Sequence, residues 1–304
     1  MERMGSVAGL IEAAASEWEH PLSIAGSISA LRRVVLTYRQ ADIFPTVVLT
    51  GENDEDIRAN LADAGVIFLR CEASEPIQAV VQGLRFLSGK ADRVVYTPVN
   101  MPFFTADTIL RLLEREHEVV IPSCNGKSGH PIVLSASTFP AISDYHGREG
   151  LRGALHGLQR QWVEVADEGI LQSVRDEGNL DQNARIHSAT LVQPVLHLGI
   201  GRDTVFYDAR VKLLLYLLSD TENLRQACGM MQLSVGKAWN LLNRLERELG
   251  YPVVQRRQGG RGGGKTSLTP QGIAFTRAAD TYEQAVRQFA QQSFQSIFQQ
   301  GGIL

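Results

Sequence analysis

The sequence predicts an α/β protein, a doubly wound, mostly parallel sheet of Rossmann-like layout followed by a small winged helix-turn-helix domain. Three observations lead there. Over the first two-thirds of the chain, short continuous apolar runs alternate with segments of helical periodicity, the pattern of strands buried on both faces and covered by helices. Beyond about residue 205 the apolar runs give way to closely spaced helices and a Gly-rich strip. The charge divides at the same place: from Phe206 onward twelve Lys and Arg stand against seven Asp and Glu, a balance of +5 that leaves −8 for the rest of a chain of net charge −3. A length of 304 residues suffices for two domains, and the boundaries predicted are 1–187, a linker over 188–205, and 206–304.

Val7–Ile11 is the first strand. Leu31, Val34, Val35 and Tyr38 give Ala30–Gln40 a helical stripe, and Pro45–Gly51 is a strand again. Asp54–Ala64 reads as helix, Val66–Leu69 as strand, Pro76–Leu87 as helix and Arg93–Thr97 as strand. Thr105 supplies a helix start signal for Thr105–Arg115. Val119–Pro122 and Pro131–Leu134 are further strands, and from about Asp181 to Asp203 the periodicity fades. Helices follow over Asp208–Leu218, Glu222–Met230 and Ser234–Leu249. The strip Gln258–Lys265 precedes a Gln-rich helix from Thr269, with Phe275, Tyr282 and Phe289 seven residues apart, a spacing of packing or dimer contacts.

Composition narrows the class. With 44% hydrophobic and 21% charged residues the chain is neither disordered nor fibrous. No apolar run reaches the roughly 18 residues that span a bilayer, so no membrane contact is expected. The opening residues run into Glu12, Glu17 and Glu19, unlike a signal peptide. Cys71, Cys124 and Cys228 are odd in number and widely spaced, which suits a reducing cytoplasm better than disulfides or zinc. Each reads as a small buried apolar residue.

In the carboxy-terminal part, helix, short helix, turn, long helix and Gly-hinged hairpin trace the outline of a winged helix-turn-helix. Ser234 is placed to cap the long helix. Lys237 and Asn240 would lie near its front, within reach of base edges, while Trp239, Leu242 and Leu245 would face the core. Arg256, Arg257, Arg261 and Lys265 would meet the phosphate backbone, with strong salt dependence. The run Ala227–Trp239, then Leu245-Glu246, the strip Gln258–Gly264 and Leu268-Thr269-Pro270-Gln271-Gly272 resemble the DNA-binding domain of molybdate-responsive transcription repressors. That resemblance implies duplex DNA as partner and covers about 70 residues. Nothing resembling the family's molybdate-binding domains follows, so oxyanion sensing is not implied.

The segment from Val7 to about Asp181 resembles the nucleotidyltransferases that join CTP or GTP to molybdopterin. That resemblance implies a Gly-rich phosphate loop with Arg and Lys after the first strand, an Asp that holds Mg2+ at the end of a later strand, and a second acidic segment near the domain's end. Here the loop reads Ala13-Ala14-Ala15-Ser16-Glu17-Trp18-Glu19-His20-Pro21-Leu22, so the loop glycine falls on Ala15 and the lysine on His20. The metal-binding Asp falls on Asn100, and the second acidic position has no clear counterpart, with Asp176 or Asp181 as substitutes in a shifted register. Losing these charges removes most of the electrostatic stabilisation of phosphoryl transfer. Two segments stay close to the family pattern, Gly126–Pro131 and Gly147–Gly153; in the family they face the pterin, which makes Gly129, His130, Pro131, Gly150 and Arg152 the candidate ligand residues. Read from the residues alone, both are also turns whose glycines serve positive φ.

The expectation is a cytoplasmic, homodimeric transcriptional regulator linked to molybdenum-cofactor or molybdoenzyme metabolism, in which a degenerate transferase-like domain binds a molybdopterin-like or nucleotide ligand without a cofactor. The alternative is a working molybdopterin cytidylyl- or guanylyltransferase that uses Mg2+, His20, Asn100 and a displaced Asp. In a third reading the front domain only dimerises or recruits another protein.

Overall fold

The continuous apolar runs become the inner strands of one sheet, because only a strand covered on both faces can bury every side chain of such a run. In the computed structural model, which describes residues 6–14, 24–25, 27–51, 54–62, 64–72, 75–175, 177–257 and 265–299, the chain divides into two units, Met1–Val192 and Gln193–Leu304.

The first unit runs β1 (Val7–Ala13), β2 (Ile24–Ala25), β3 (Ile28–Ser29), α1 (Ala30–Gln40), β4 (Thr46–Thr50), α2 (Asp54–Asn60), β5 (Ile67–Arg70), α3 (Pro76–Leu87), β6 (Arg93–Pro98), α4 (Ala106–Leu113), β7 (Val119–Cys124), β8 (Lys127–Ser128), β9 (Ile132–Ser135), α5 (Phe139–Ser143), α6 (Gly150–Ala154), β10 (Arg160–Glu164) and α7 (Leu180–Thr190). The sheet order is β10-β7-β9-β6-β1-β4-β5, with β8 paired to β7. β1 lies parallel to both β4 and β6, β4 is parallel to β5 and β10 to β7, whereas β9 is antiparallel to β6 and β7. The sheet is thus mixed and mostly parallel. Ser29 and Thr105 cap α1 and α4 by accepting from Arg32 N and Thr108 N, as helix starts require. Ile11, Val34, Val48, Val95, Phe104 and Val133 belong to the core cluster on one face of the sheet.

The stretch from Asp181 in which periodicity fades is helical through Thr190, and its docking explains the weak pattern. The side chains α7 buries are Asn183, Ala184 and His187, two of them polar. Arg33 of α1, fully buried, donates to Ser188 Oγ at 3.0 Å, lies 3.2 Å from His187 Nδ1 and stacks over Phe103. His187 Nε2 lies 2.9 Å from Phe104 O. An arginine can only donate, so Nδ1 accepts and Nε2–H donates to the carbonyl, which fixes a neutral tautomer.

The second unit runs β11 (Ile200–Gly201), β12 (Val205–Tyr207), α8 (Ala209–Thr221), α9 (Leu224–Met230), α10 (Val235–Leu249), β13 (Val254–Arg257), β14 (Lys265–Leu268) and α11 (Pro270–Phe294). β11 with β12 and β13 with β14 form antiparallel pairs. Its core is built on Val211, Leu214, Leu218, Leu224, Leu242 and Leu245. Glu246 joins α10 to the hairpin, its Oε1 accepting from Val253 N at 2.8 Å and Val254 N at 2.9 Å. Gly272 lets α11 start against the same turn, since a Cβ there would stand 2.3 Å from Val253 O. Among the described residues no helix is long and apolar enough to cross a membrane.

Burial holds the His187 imidazole down to about 4, below its ordinary 6.5. The unfolded chain therefore takes up a proton near pH 6.5 that the folded chain refuses until about pH 4. Stability should be full above that window and fall as pH drops through it, by up to about 3 kcal/mol. Urea unfolding of the chain at pH 7.5 and 4.5 checks this, and His187→Gln should reduce the difference without abolishing it, because His130 is held down to about 4 as well.

Candidate functional site

In an open sheet the ligand crevice lies beyond the carboxyl ends of the strands, where the order reverses. Here that point is between β1 and β6, since β4 and β5 extend to one side and β9, β7 and β10 to the other. Three close backbone approaches frame this region. A Cβ on Gly51 would lie 2.2 Å from Ala14 O, one on Gly129 2.2 Å from Ile170 O, and one on Gly169 2.0 Å from Phe103 O. Gly129 is therefore required for space; the positive φ in its hairpin belongs to Asn125 and Gly126, at 51° and 74°. Its N–H donates to Pro122 O and that of His130 to Ile170 O, each at 3.0 Å.

Asn100 follows β6 and His130 precedes β9, its antiparallel neighbour. Asn100 Nδ2 donates to Ser173 Oγ at 3.3 Å, and Val174 N donates to Asn100 O at 2.9 Å. Asn100 Oδ1 and His130 Nδ1 are buried with no partner among the described residues. The His130 ring meets Tyr96 edge-on at 5.9 Å, and burial pushes its imidazole down to about 4, leaving it neutral at pH 7. Two unsatisfied polar atoms at the end of the sheet are a cost that a hydrogen-bonding ligand would relieve.

Ser173 and Val174 are the contacts that sequence reading missed. They fall in the segment whose sequence offers Asp176 and Asp181 as acidic substitutes. Asp181 is exposed in the first turn of α7, and Asp176 lies outside the described residues, as do Ala15 and His20. The donors at Asn100 do not fit Mg2+: a neutral amide and a hydroxyl stand where a hard dication asks for carboxylates. Among the described residues no group of three His, Cys, Asp or Glu could hold a metal ion.

Gly150 and Arg152 lie on α6, and among the described residues no hydrogen bond joins Arg152 to the His130 turn. Gly150 takes φ +56°, while Gly147 and Gly153 make room for Tyr145, whose Oη would lie 2.2 and 2.0 Å from Cβ atoms there. A cleft of about 460 Å3 lies between α4, the 165–169 segment and α7; Phe103 and Gly169 line it, whereas Asn100, His130, Gly150 and Arg152 do not. Asp167 on its wall is occupied, accepting from Thr105 N, Thr105 Oγ1, Thr108 Oγ1 and Gly169 N.

In the second unit Ser234 Oγ accepts from Lys237 N, capping α10, and the Lys237 and Asn240 side chains are exposed on its first turns. Trp239 departs from expectation: Ala238 takes the buried position beside Leu242 and Leu245, and Trp239 is half-buried beneath the Arg256 guanidinium, 3.9 Å from its ring centroid. Arg256 also donates to Asn243 Oδ1 at 2.9 Å. Lys265 pairs with Glu222. Arg261 and the Arg257 side chain lie outside the described residues.

Residues 19–164 match the family model of the MobA-like NTP transferase domain. No curated protein matches the chain. A homologue of Mycobacterium tuberculosis rv0371c from Mycobacterium sp. strain JC1 is 17% identical, with 60% of this chain and 98% of that one covered and a TM-score of 0.52. The 4-diphosphocytidyl-2C-methyl-D-erythritol synthase of Anaerococcus prevotii is 14% identical, with 60% and 96% covered and a TM-score of 0.51. A nucleotidyl transferase from Methanothermobacter thermautotrophicus is 16% identical, with 61% and 98% covered and a TM-score of 0.50. At such identities the likeness is one of fold: the first unit has the Rossmann-like nucleotidyltransferase fold.

Gly129→Ala should force the Ile170 carbonyl away and lower stability by roughly 1–3 kcal/mol, the usual range for a backbone clash of this kind. Faster amide exchange at His130 and over 170–174 checks this; unchanged exchange would show that the turn has slack.

Proposed function

We propose that the chain is a DNA-binding regulator whose first unit retains the nucleotidyltransferase-like frame as a ligand-binding module. The observation that supports it best is the succession α9, Ser234-capped α10 and hairpin, with Lys237 and Asn240 exposed at the front of α10 and Arg256 and Lys265 on the strands that follow. An α-helix fits the major groove, and side chains at its leading end reach base edges. Hairpin cations suit the flanking phosphates. In this reading the module is a winged helix-turn-helix, Lys237 and Asn240 read or border the bases, and Arg256, Arg257, Arg261 and Lys265 hold the backbone.

For the first unit the reading rests on what Asn100, Ser173 and His130 offer. All three are uncharged at pH 7 and supply hydrogen bonds, whereas transfer of a nucleotidyl group needs dense positive charge around the phosphates. They suit a polar heterocycle of the molybdopterin or nucleotide class, with Gly129, Pro131, Gly150 and Arg152 as further walls. The role is then regulation of molybdenum-cofactor or molybdoenzyme metabolism in the cytoplasm. A Mg2+-dependent molybdopterin cytidylyl- or guanylyltransferase is the competing reading.

Fluorescence anisotropy with a duplex between 50 and 200 mM salt tests the DNA contact. Each phosphate-contacting cation removed, Arg261→Ala first, should weaken binding uniformly across sequences and lower the salt slope by about 1. Lys265→Ala should do less, because Lys265 already has Glu222 as a partner. An unchanged slope for Arg261→Ala would remove the hairpin from the interface. Calorimetry with CTP, GTP and molybdopterin, with and without Mg2+, separates the readings of the first unit. Mg2+-dependent nucleotide binding would restore the transferase, and pterin binding without it would support the sensor.

A further inference from the structure

Helix α7 presents Asn183, Ile186, His187 and Thr190 at helical spacing along one wall of the cleft of about 460 Å3 that it shares with α4 and the 165–169 segment. Most polar groups on these walls are already engaged. Asp167 accepts four hydrogen bonds, Arg111 donates to Asp107 at 2.7 Å, and Thr190 Oγ1 donates to His187 O at 2.8 Å. By contrast, the side chains of Glu168, Gln172 and Asn183 make no hydrogen bond among the described residues. Asn183 carries the argument, because it is only 9% exposed and turns an unpaired carboxamide toward the cleft. A buried amide without partners is a cost that a ligand with the complementary edge removes. One turn on, Ile186 leaves an apolar surface uncovered at the same wall, 61% exposed.

We propose that this cleft binds an uncharged purine nucleoside with an adenine-type edge. An asparagine carboxamide offers a donor and an acceptor side by side, the pattern that meets adenine through N6 and N7. Ile186 supplies the apolar surface for a flat ring. Glu168 keeps a carboxylate free to accept from ribose hydroxyls, as acidic residues do in dinucleotide sites. Charge then limits the ligand. Asp107, Asp167 and Glu168 stand against the single guanidinium of Arg111, which is itself paired with Asp107, and the buried His187 imidazole is neutral at pH 7. A phosphate group is repelled by such walls. The volume lies in the ordinary range for a small-molecule site. This occupant is distinct from the pterin or nucleotide read for Asn100 and His130, neither of which lines the cleft.

Calorimetry of the full chain at low salt without Mg2+ should show adenosine binding, with AMP at least about tenfold weaker because its phosphate meets the carboxylates. Asn183→Leu keeps the side-chain volume and should weaken adenosine binding by about tenfold or more. Ile186→Ser changes an exposed position and leaves the core untouched; it should weaken binding about fivefold. In methyl spectra adenosine should shift the Ile186 resonance and leave that of Ile132, two residues from His130, in place, which separates this cleft from the sheet-edge crevice. No binding up to millimolar adenosine, AMP as tight as adenosine, unchanged affinity in both variants, or a shift at Ile132 in place of Ile186 overturns the proposal.

Discussion

Much of the first unit depends on how closely the backbone can approach itself at the carboxyl edge of the sheet. Gly51 against Ala14, Gly129 against Ile170 and Gly169 against Phe103 each leave no room for a Cβ. The last two draw the segment after β10 across the ends of β6 and β9. That placement brings Ser173 to Asn100 and Ile170 to His130. A side chain at Gly129 or Gly169 would hold these segments apart.

The alternation of strands and helices was legible because β-branched, continuous apolar runs can be buried in only one way. The direction of β9 was not, since Ile132–Ser135 reads like its parallel neighbours. The signal that sets it is Asn125-Gly126, whose paired positive φ angles turn the chain back after β7 in the manner of a tight hairpin. Helix α7 was hidden for a different reason: its anchor is a polar lock of Arg33, His187 and Ser188, which hydrophobic periodicity does not register. At Trp239 periodicity alone allowed either neighbour to face inward, and the smaller Ala238 took the interior.

The candidate site was legible only in part. Asn100 and the Gly129-His130-Pro131 turn were singled out from sequence and lie at the sheet edge, while Gly150 and Arg152 lie on α6, where neighbouring glycines accommodate a tyrosine ring. The partner of Asn100 is the Ser173 hydroxyl, where the family pattern implies a carboxylate, so no charge in the sequence marks it. Asn100 and His130 present hydrogen-bonding groups without charge at this edge of the sheet.

The stack of Arg256 on Trp239 has an optical consequence. The indole lies under a cation carried by the hairpin, so its emission is sensitive to where that guanidinium sits. Anything that draws the arginine off the ring leaves the aromatic face to solvent and loosens the tie to Asn243 at the same moment. The second unit thus contains its own chromophore at the junction of α10 and β13, and the state of that junction can be followed by light without a label.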